Sequence, residues 1–390
     1  MRQMKRTVLY LTCLLALAAC SSEQSGQKQP TSHSYDAEDL NFPVEIRHAK
    51  GFTVVNHEGY KEVVVFVPDA PTDTLAHYIL YPRQAKPQIP TSAHARFIPV
   101  PARSLGCLST TEIGVLPILD LRHVLVACGD VRNINDSLLR ERVEQGEIIQ
   151  IGRGMSRDVE QIIAARPEVL MQNFADITDK DEDIVASGIE IVLFNNWKEQ
   201  SLLGRAEWLK MIGMLFARNQ VADEAFKHIE EQYLEAKRIV EHDTEFIPIM
   251  YGQDYKGAWY VPGEYSYVTT MFRDARVRYD SIPGQVANQP VSFEHVFSRH
   301  RHAKIWICMM TGKIKTMEDF LSLNDRYGHF DAAKTGQVWV DRKRVNEYGG
   351  NDFWESGPYH PHLLLKDLIK ISRPHLLPDY ETTYWMELKR

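Results

Sequence analysis

Two stretches of this chain repeat one plan, and the repeat restricts the fold more than any other feature. Residues 152–171 read GRGMSRDVEQIIAARPEVLM, and residues 290–310 read PVSFEHVFSRHRHAKIWICMM. In each, a capping carboxylate or hydroxyl opens a helix of under three turns and a glutamate sits in its first turn. The helix then delivers the chain to an apolar run of strand character. Between the two lies a helical stretch from about 202 to 240, where Trp208, Met211, Ile212, Leu215 and Phe216 recur at helical spacing. Its one polar break falls near Arg218 and Asn219. On both sides short β-branched runs alternate with amphipathic segments, which is the pattern of parallel βαβ units. The expectation is an α/β fold: two α/β lobes with mostly parallel sheets joined by a long backbone helix. A small N-terminal β segment precedes them, where VEIRHA, FTVVNH, EVVVFVP and HYILYP alternate at period two.

The 390 residues divide accordingly. Arg2, Lys5 and Arg6 precede an apolar stretch of signal-peptide length, and Leu17-Ala18-Ala19-Cys20 reads as a bacterial lipobox, which predicts a leader over 1–19 and lipidation at Cys20. Residues 20–40 read as a flexible tether, 41–97 as the β segment, 98–200 as the first lobe, 201–220 as the interlobe helix and 221–390 as the second lobe. Loss of the leader takes three cations from a formal charge of −7 and leaves −10, so acyl chains rather than basic residues would hold the protein to a membrane. An acidic chain without basic runs also argues against nucleic-acid binding. With 44% hydrophobic and 25% charged residues, disorder throughout is excluded.

Cys107, Cys128 and Cys308 lie in apolar runs and read as small buried hydrophobes, with no spacing that suggests a metal site. His300, His302, His360 and His362 form two H-x-H pairs that read as solvated rather than metal-binding. The chain has no GxSxG elbow, HExxH, Walker loop or GxGxxG after a strand, which leaves an envelope enzyme as the weaker alternative to a binding protein.

In open α/β sheets ligands bind beyond the carboxyl ends of the strands. That rule selects Thr110, Arg132, Arg153, Asn173 and Trp197 in the first half, and Trp259, Arg342, Tyr348 and Trp354 in the second. Arg132, Arg153 and Arg342, with Arg344, offer guanidinium forks to an anionic chelate. Trp197, Trp259, Tyr348 and Trp354 offer flat walls, alongside Tyr260 and Phe353.

The blocks RSLGCLSTTEIGVLPIL, GRGMSRDVEQIIAARPEVLM, AEWLKMIGMLFA, PVSFEHVF and YGGNDFWESGPYHPHLLLKDL, in this order, are similar to those of ABC-transporter solute-binding proteins of the helical-backbone type. That group carries iron–siderophore complexes, haem and vitamin B12, and the resemblance covers about residues 98–385. It implies a two-lobe receptor with a cleft between the lobes and only small hinge motion. It also implies that Glu160 and Glu294, one per lobe, pair with arginines of a membrane permease. The expected cargo is an iron–siderophore chelate, then cobalamin, then haem. The expected partners are ABC permease subunits and, through the anchor, the membrane; no cofactor is expected, and the chain is expected to act as a monomer. A lipoprotein that scavenges cargo without docking is the alternative within the same architecture.

Overall fold

The computed structural model describes residues 37–68, 70–84, 95–153, 156–173, 181–309 and 314–390. The expected leader, Cys20 and most of the expected tether lie outside them. The first described element, α1 (Ala37–Asn41), precedes a four-stranded sheet of β1 (Phe52–His57), β2 (Tyr60–Val67), β3 (Ala70–Pro82) and β4 (Arg96–Val100) in that order. Alternation in β2 turns Lys61, Val63 and Val65 inward and leaves Glu62, Val64 and Phe66 less covered, as its period of two requires. Pairing of β4 with β3 carries this sheet to residue 100, slightly past the boundary read from the sequence.

Buried polar groups fasten this N-terminal segment to residues 193–208. The hydroxyl of buried Tyr78 accepts the N–H of Leu193 at 2.9 Å. Glu207, fully buried, accepts the main-chain N–H groups of Arg47, His48 and Ala49 at 3.0, 2.6 and 2.8 Å. Glu199 takes those of Lys50 and Gly51 and the indole N–H of Trp208. Glu207 also meets the buried Lys210 ammonium at 3.4 Å, so N–H donors and a cation together let its carboxylate stay buried.

The first lobe is built on β5 (Leu105–Cys107), β6 (Leu125–Cys128), β7 (Ile149–Gln150), β10 (Val169–Gln172) and β11 (Glu190–Leu193), with the small hairpin β8 (Gly152–Arg153) and β9 (Ser156–Arg157) at its rim. The sheet is parallel with strand order β11-β10-β5-β6-β7. Its helices are α2 (Thr110–Ile113), α3 (Ser137–Glu144), α4 (Val159–Ala165) and α5 (Glu182–Ala186).

The helical stretch between the lobes is three helices rather than one: α6 (Leu202–Glu207), α7 (Leu209–Leu215) and α8 (Asn219–Arg238). Every residue of α6 and α7 is buried, whereas the 20-residue α8 is amphipathic. The long backbone helix expected between the lobes is α8, and Ala217, at φ 51°, separates it from the two shorter buried helices before it.

The second lobe has strand order β15-β12-β17-β18-β19, from β12 (Ile247–Tyr251), β15 (Val277–Arg278), β17 (Ile305–Cys308), β18 (Val338–Val340) and β19 (Met386–Glu387). Only β19 runs antiparallel in it. A smaller antiparallel sheet joins β13 (Asp254–Tyr255), β14 (Ala258–Val261) and β16 (Gln289–Val291). The helices here are α9 (Tyr267–Asp274), α10 (Phe293–His300), α11 (Met317–Leu321), α12 (Asp331–Thr335), α13 (Asp352–Glu355) and α14 (Pro361–Ser372).

The sequence repeat has a structural meaning. Asp158 caps α4 and Ser292 caps α10, each through a side-chain oxygen that accepts the N–H three residues on. From α4 the chain enters β10, which pairs with β5; from α10 it enters β17, which pairs with β12. In both sheets the repeated unit places its strand beside the lobe's first strand, on the side opposite the earlier strands. It therefore creates the point where strand order reverses, and all four residues of β10 and of β17 are buried.

Candidate functional site

Beyond the carboxyl ends of both sheets lies a cavity of about 390 Å³ lined from both lobes. Trp197, Lys198 and Glu199 come from the segment after β11. Tyr267 and Val268 come from the first turn of α9, Met309 follows β17, and Trp354 sits on α13. This is the location the strand-reversal rule selects, since β17 borders the reversal in the second sheet.

Trp197 is 44% exposed, and its indole N–H donates to the carbonyl of Asn173 at 3.2 Å. The Lys198 ammonium lies 4.5 Å from the centre of the same ring. Tyr267 is backed by the Arg205 guanidinium at 4.2 Å. The walls thus include two indoles, a phenol and a thioether, with the Lys198 ammonium and the buried Glu199 carboxylate beside them, a surface that takes flat, partly apolar faces.

The other expected residues fall at different places. Thr110 opens α2, whose N-terminus is closed by a capping box between Ser109 and Glu112. Arg132 is already engaged: its guanidinium grips the Asp130 carboxylate through two bonds of 2.9 and 2.6 Å. It lines a smaller cavity of about 130 Å³ with Arg140 and Tyr348, where Tyr348 is 63% exposed. Arg342 is half-buried, with its pKa lowered by burial, and lines a third cavity of about 410 Å³ with Lys315, Val345 and Met386. Arg344 pairs with Asp352 at 2.8 Å. Arg153 is exposed at the tip of the β8–β9 hairpin.

Trp259 requires correction. It is fully buried, stacks on Trp306 and donates its indole N–H to the Tyr251 carbonyl at 3.0 Å, so it belongs to the aromatic core of the second lobe and not to the cleft. Phe353 is likewise a core residue. Two histidines read as solvated are buried instead: His300 stacks on Tyr279 at 4.3 Å, and His362 is 8% exposed. The three cysteines are free and buried, as expected. Among the described residues no group of His, Cys, Asp or Glu is arranged to hold a metal ion.

Sequence reasoning missed Tyr267, Met309 and Lys198 as cleft residues. Tyr267 follows the Ser266 cap of a helix that opens toward the cleft, and that cap was its one local signal.

The family model for periplasmic binding proteins matches residues 106–345, more than half of the chain. This chain belongs to that family, whose members bind solutes. Along nearly its whole length it is also similar to an uncharacterized lipoprotein of Methanocaldococcus jannaschii, MJ0872, at 24% identity over 98% of both chains. A second uncharacterized lipoprotein of that organism, MJ0878, is 21% identical over 75% of this chain and 70% of its own. Among solved structures, a periplasmic heme-binding protein from Pseudomonas aeruginosa superposes with a TM-score of 0.58 at 13% identity, covering 74% of this chain and 99% of its own. The triscatecholate siderophore-binding protein FeuA from Bacillus subtilis does so with 0.53 at 14% identity, covering 75% and 100%. These likenesses establish the two-lobe fold. Among the described residues no helix is long and apolar enough to cross a membrane.

Glu160 and Glu294 occupy the second position of α4 and α10, at matching places in the two lobes, and both are exposed. Glu294 accepts from Arg326 at 3.1 Å, whose guanidinium also lies 3.8 Å from the centre of the Phe293 ring.

Proposed function

We propose that this protein is the substrate-binding component of an ABC importer, lipid-anchored through Cys20, that captures an iron–siderophore-type chelate between its lobes and delivers it to a membrane permease. The observation that carries the reading is the cavity to which both lobes contribute aromatic walls, Trp197 from one and Tyr267 and Trp354 from the other. A catecholate-type chelate presents flat rings and negative charge, and the site supplies indoles with the Lys198 ammonium. Exposed Arg153 adds a cation on the first lobe's rim hairpin.

Cobalamin is the second reading, and the pairing of Arg132 with Asp130 and of Arg344 with Asp352 favours it. Two of the four expected guanidinium groups are already neutralised, which suits a cargo of lower charge. Tryptophan quenching against ferric catecholate, ferric hydroxamate, cobalamin and haem separates these. A ferric catecholate should quench with Kd below about 1 μM, equivalent to about −8 kcal/mol, and Trp197→Ala or Trp354→Ala should weaken it at least tenfold. Sub-micromolar binding of cobalamin alone selects the second reading, and binding of none of the four removes the cargo class.

A further inference from the structure

The segment after β18 crosses from the second lobe to the first, and the crossing is dense. The Asn346 side-chain amide donates to the carbonyls of Arg132 and Ile134 at 2.9 and 3.0 Å. The Tyr359 hydroxyl donates to the carbonyl of Thr111 at 3.0 Å. At the centre, the buried Glu355 carboxyl accepts the main-chain N–H of Asn135 at 2.7 Å and of Asp136 at 2.9 Å. Gly114 passes so close that a Cβ there would stand 1.8 Å from the Glu355 carbonyl oxygen.

We propose that Glu355 is a positioning residue that bolts α13 to the first lobe, so setting the lobe angle and seating Trp354 in the cleft. Three consecutive residues divide the work. Phe353 holds the helix in the second lobe among Tyr384 and Trp385, with ring centres at 6.0 and 5.6 Å. Glu355 holds it to the first lobe. Trp354, between them, lines the cavity. A change in lobe separation must therefore break the Glu355 bonds or pull Phe353 from its ring cluster. This deepens the two-lobe binding reading by adding a control on the cleft wall.

The bolt is coupled to a proton. Burial pushes Glu355 up from 4.5 to about 7, Asp352 on its own helix adds to the rise, and the two first-lobe N–H groups oppose it. The charged groups around it are Asp352, paired with Arg344, and Asp136, paired with Arg122 at 2.8 Å. On the first sheet's side, burial pushes up the Cys128 thiol, and the charges of Glu112 and Glu355 add to the rise. Freed from the first lobe, the carboxyl would return toward 4.5. The latched state therefore holds the extra proton between about 4.5 and 7: the latch is firmest below that window and weakens as pH rises through it.

Hydrogen–deuterium exchange on the full chain in detergent, without cargo, tests this. After correction for intrinsic exchange, opening at the Asn135 and Asp136 amides should increase about tenfold or more between pH 5 and pH 8. Glu355→Gln, which keeps an acceptor oxygen but cannot ionise, should abolish the slope; Glu112→Gln should retain it. Flat protection in the wild type overturns the proposal, and that measurement needs no variant to fold. An unchanged slope in Glu355→Gln also overturns it. Because no cargo is present, neither result depends on which ligand the cleft takes.

Discussion

A single imidazole shows how burial becomes pH dependence. His362, on α14, has its pKa lowered from 6.5 to about 4, chiefly by burial and then by the charges of His360, Lys366 and His228. A base depressed on folding contributes stability that is complete above its unfolded pKa and is lost as pH falls through the folded one. Between pH 6.5 and 4 the wild type should therefore lose about 2 kcal/mol at this residue. The thermal midpoint of His362→Gln should fall less steeply over that range, and an identical fall in both proteins would remove His362 as the cause. Nothing in HPHLLL announced this, because burial of His362 depends on how α14 packs, whereas the charge of the motif is all that can be read locally. Trp259 and Tyr260 teach the same lesson in a strand. They are neighbours on β14 at 0% and 46% exposure, and which of the two turns inward is a matter of phase that one residue of slip would reverse.

At the scale of elements, α2 and α13 meet where Gly114 leaves room for the main chain of Glu355. A methyl at Gly114 would confront a carbonyl oxygen at 1.8 Å and its carbon at 2.6 Å, neither of which can swing aside. Gly114→Ala should therefore destabilise the protein by about 2 kcal/mol or more, lowering the thermal midpoint by about 5 °C. A midpoint within about 1 °C of wild type would mean the two helices are free to separate. This contact was illegible in the sequence because its partners belong to different lobes. The repeated helix–strand units were legible because cap, helix and buried strand are contiguous and each carries its own local signal. The interlobe stretch falls between the two cases. Its break near Arg218 was readable, but the reason was not: Asp39 accepts the N–H groups of Asn219 and Gln220 at 2.7 and 2.8 Å, capping α8 from far away in the chain. A helix whose cap comes from a distant segment gives no capping signal of its own.

Over the whole molecule, the first turns of α4 and α10 carry the two carboxylates proposed to dock a permease, one on each lobe. Each lobe exposes one carboxylate there, Glu160 and Glu294, on helices that feed the strands bordering the cleft. Two anchors on separate bodies read the distance between them, so a partner that binds both senses the lobe angle as well as the protein's presence. Cargo affinity should then be indifferent to these residues, while delivery should not be. Reversing both charges, Glu160→Arg with Glu294→Arg, should leave quenching by cargo within about twofold of wild type yet reduce uptake in cells at least about tenfold, with each single variant between. For Glu294 the reversal also sets two arginines side by side, since Arg326 is its present partner, so Glu294→Gln is the milder check on that lobe. Undiminished uptake by the double variant would leave the protein a scavenger that holds cargo without handing it over. Loss of both binding and uptake would instead mean that the two helices set the shape of the cleft, since each leads directly into a strand beside it.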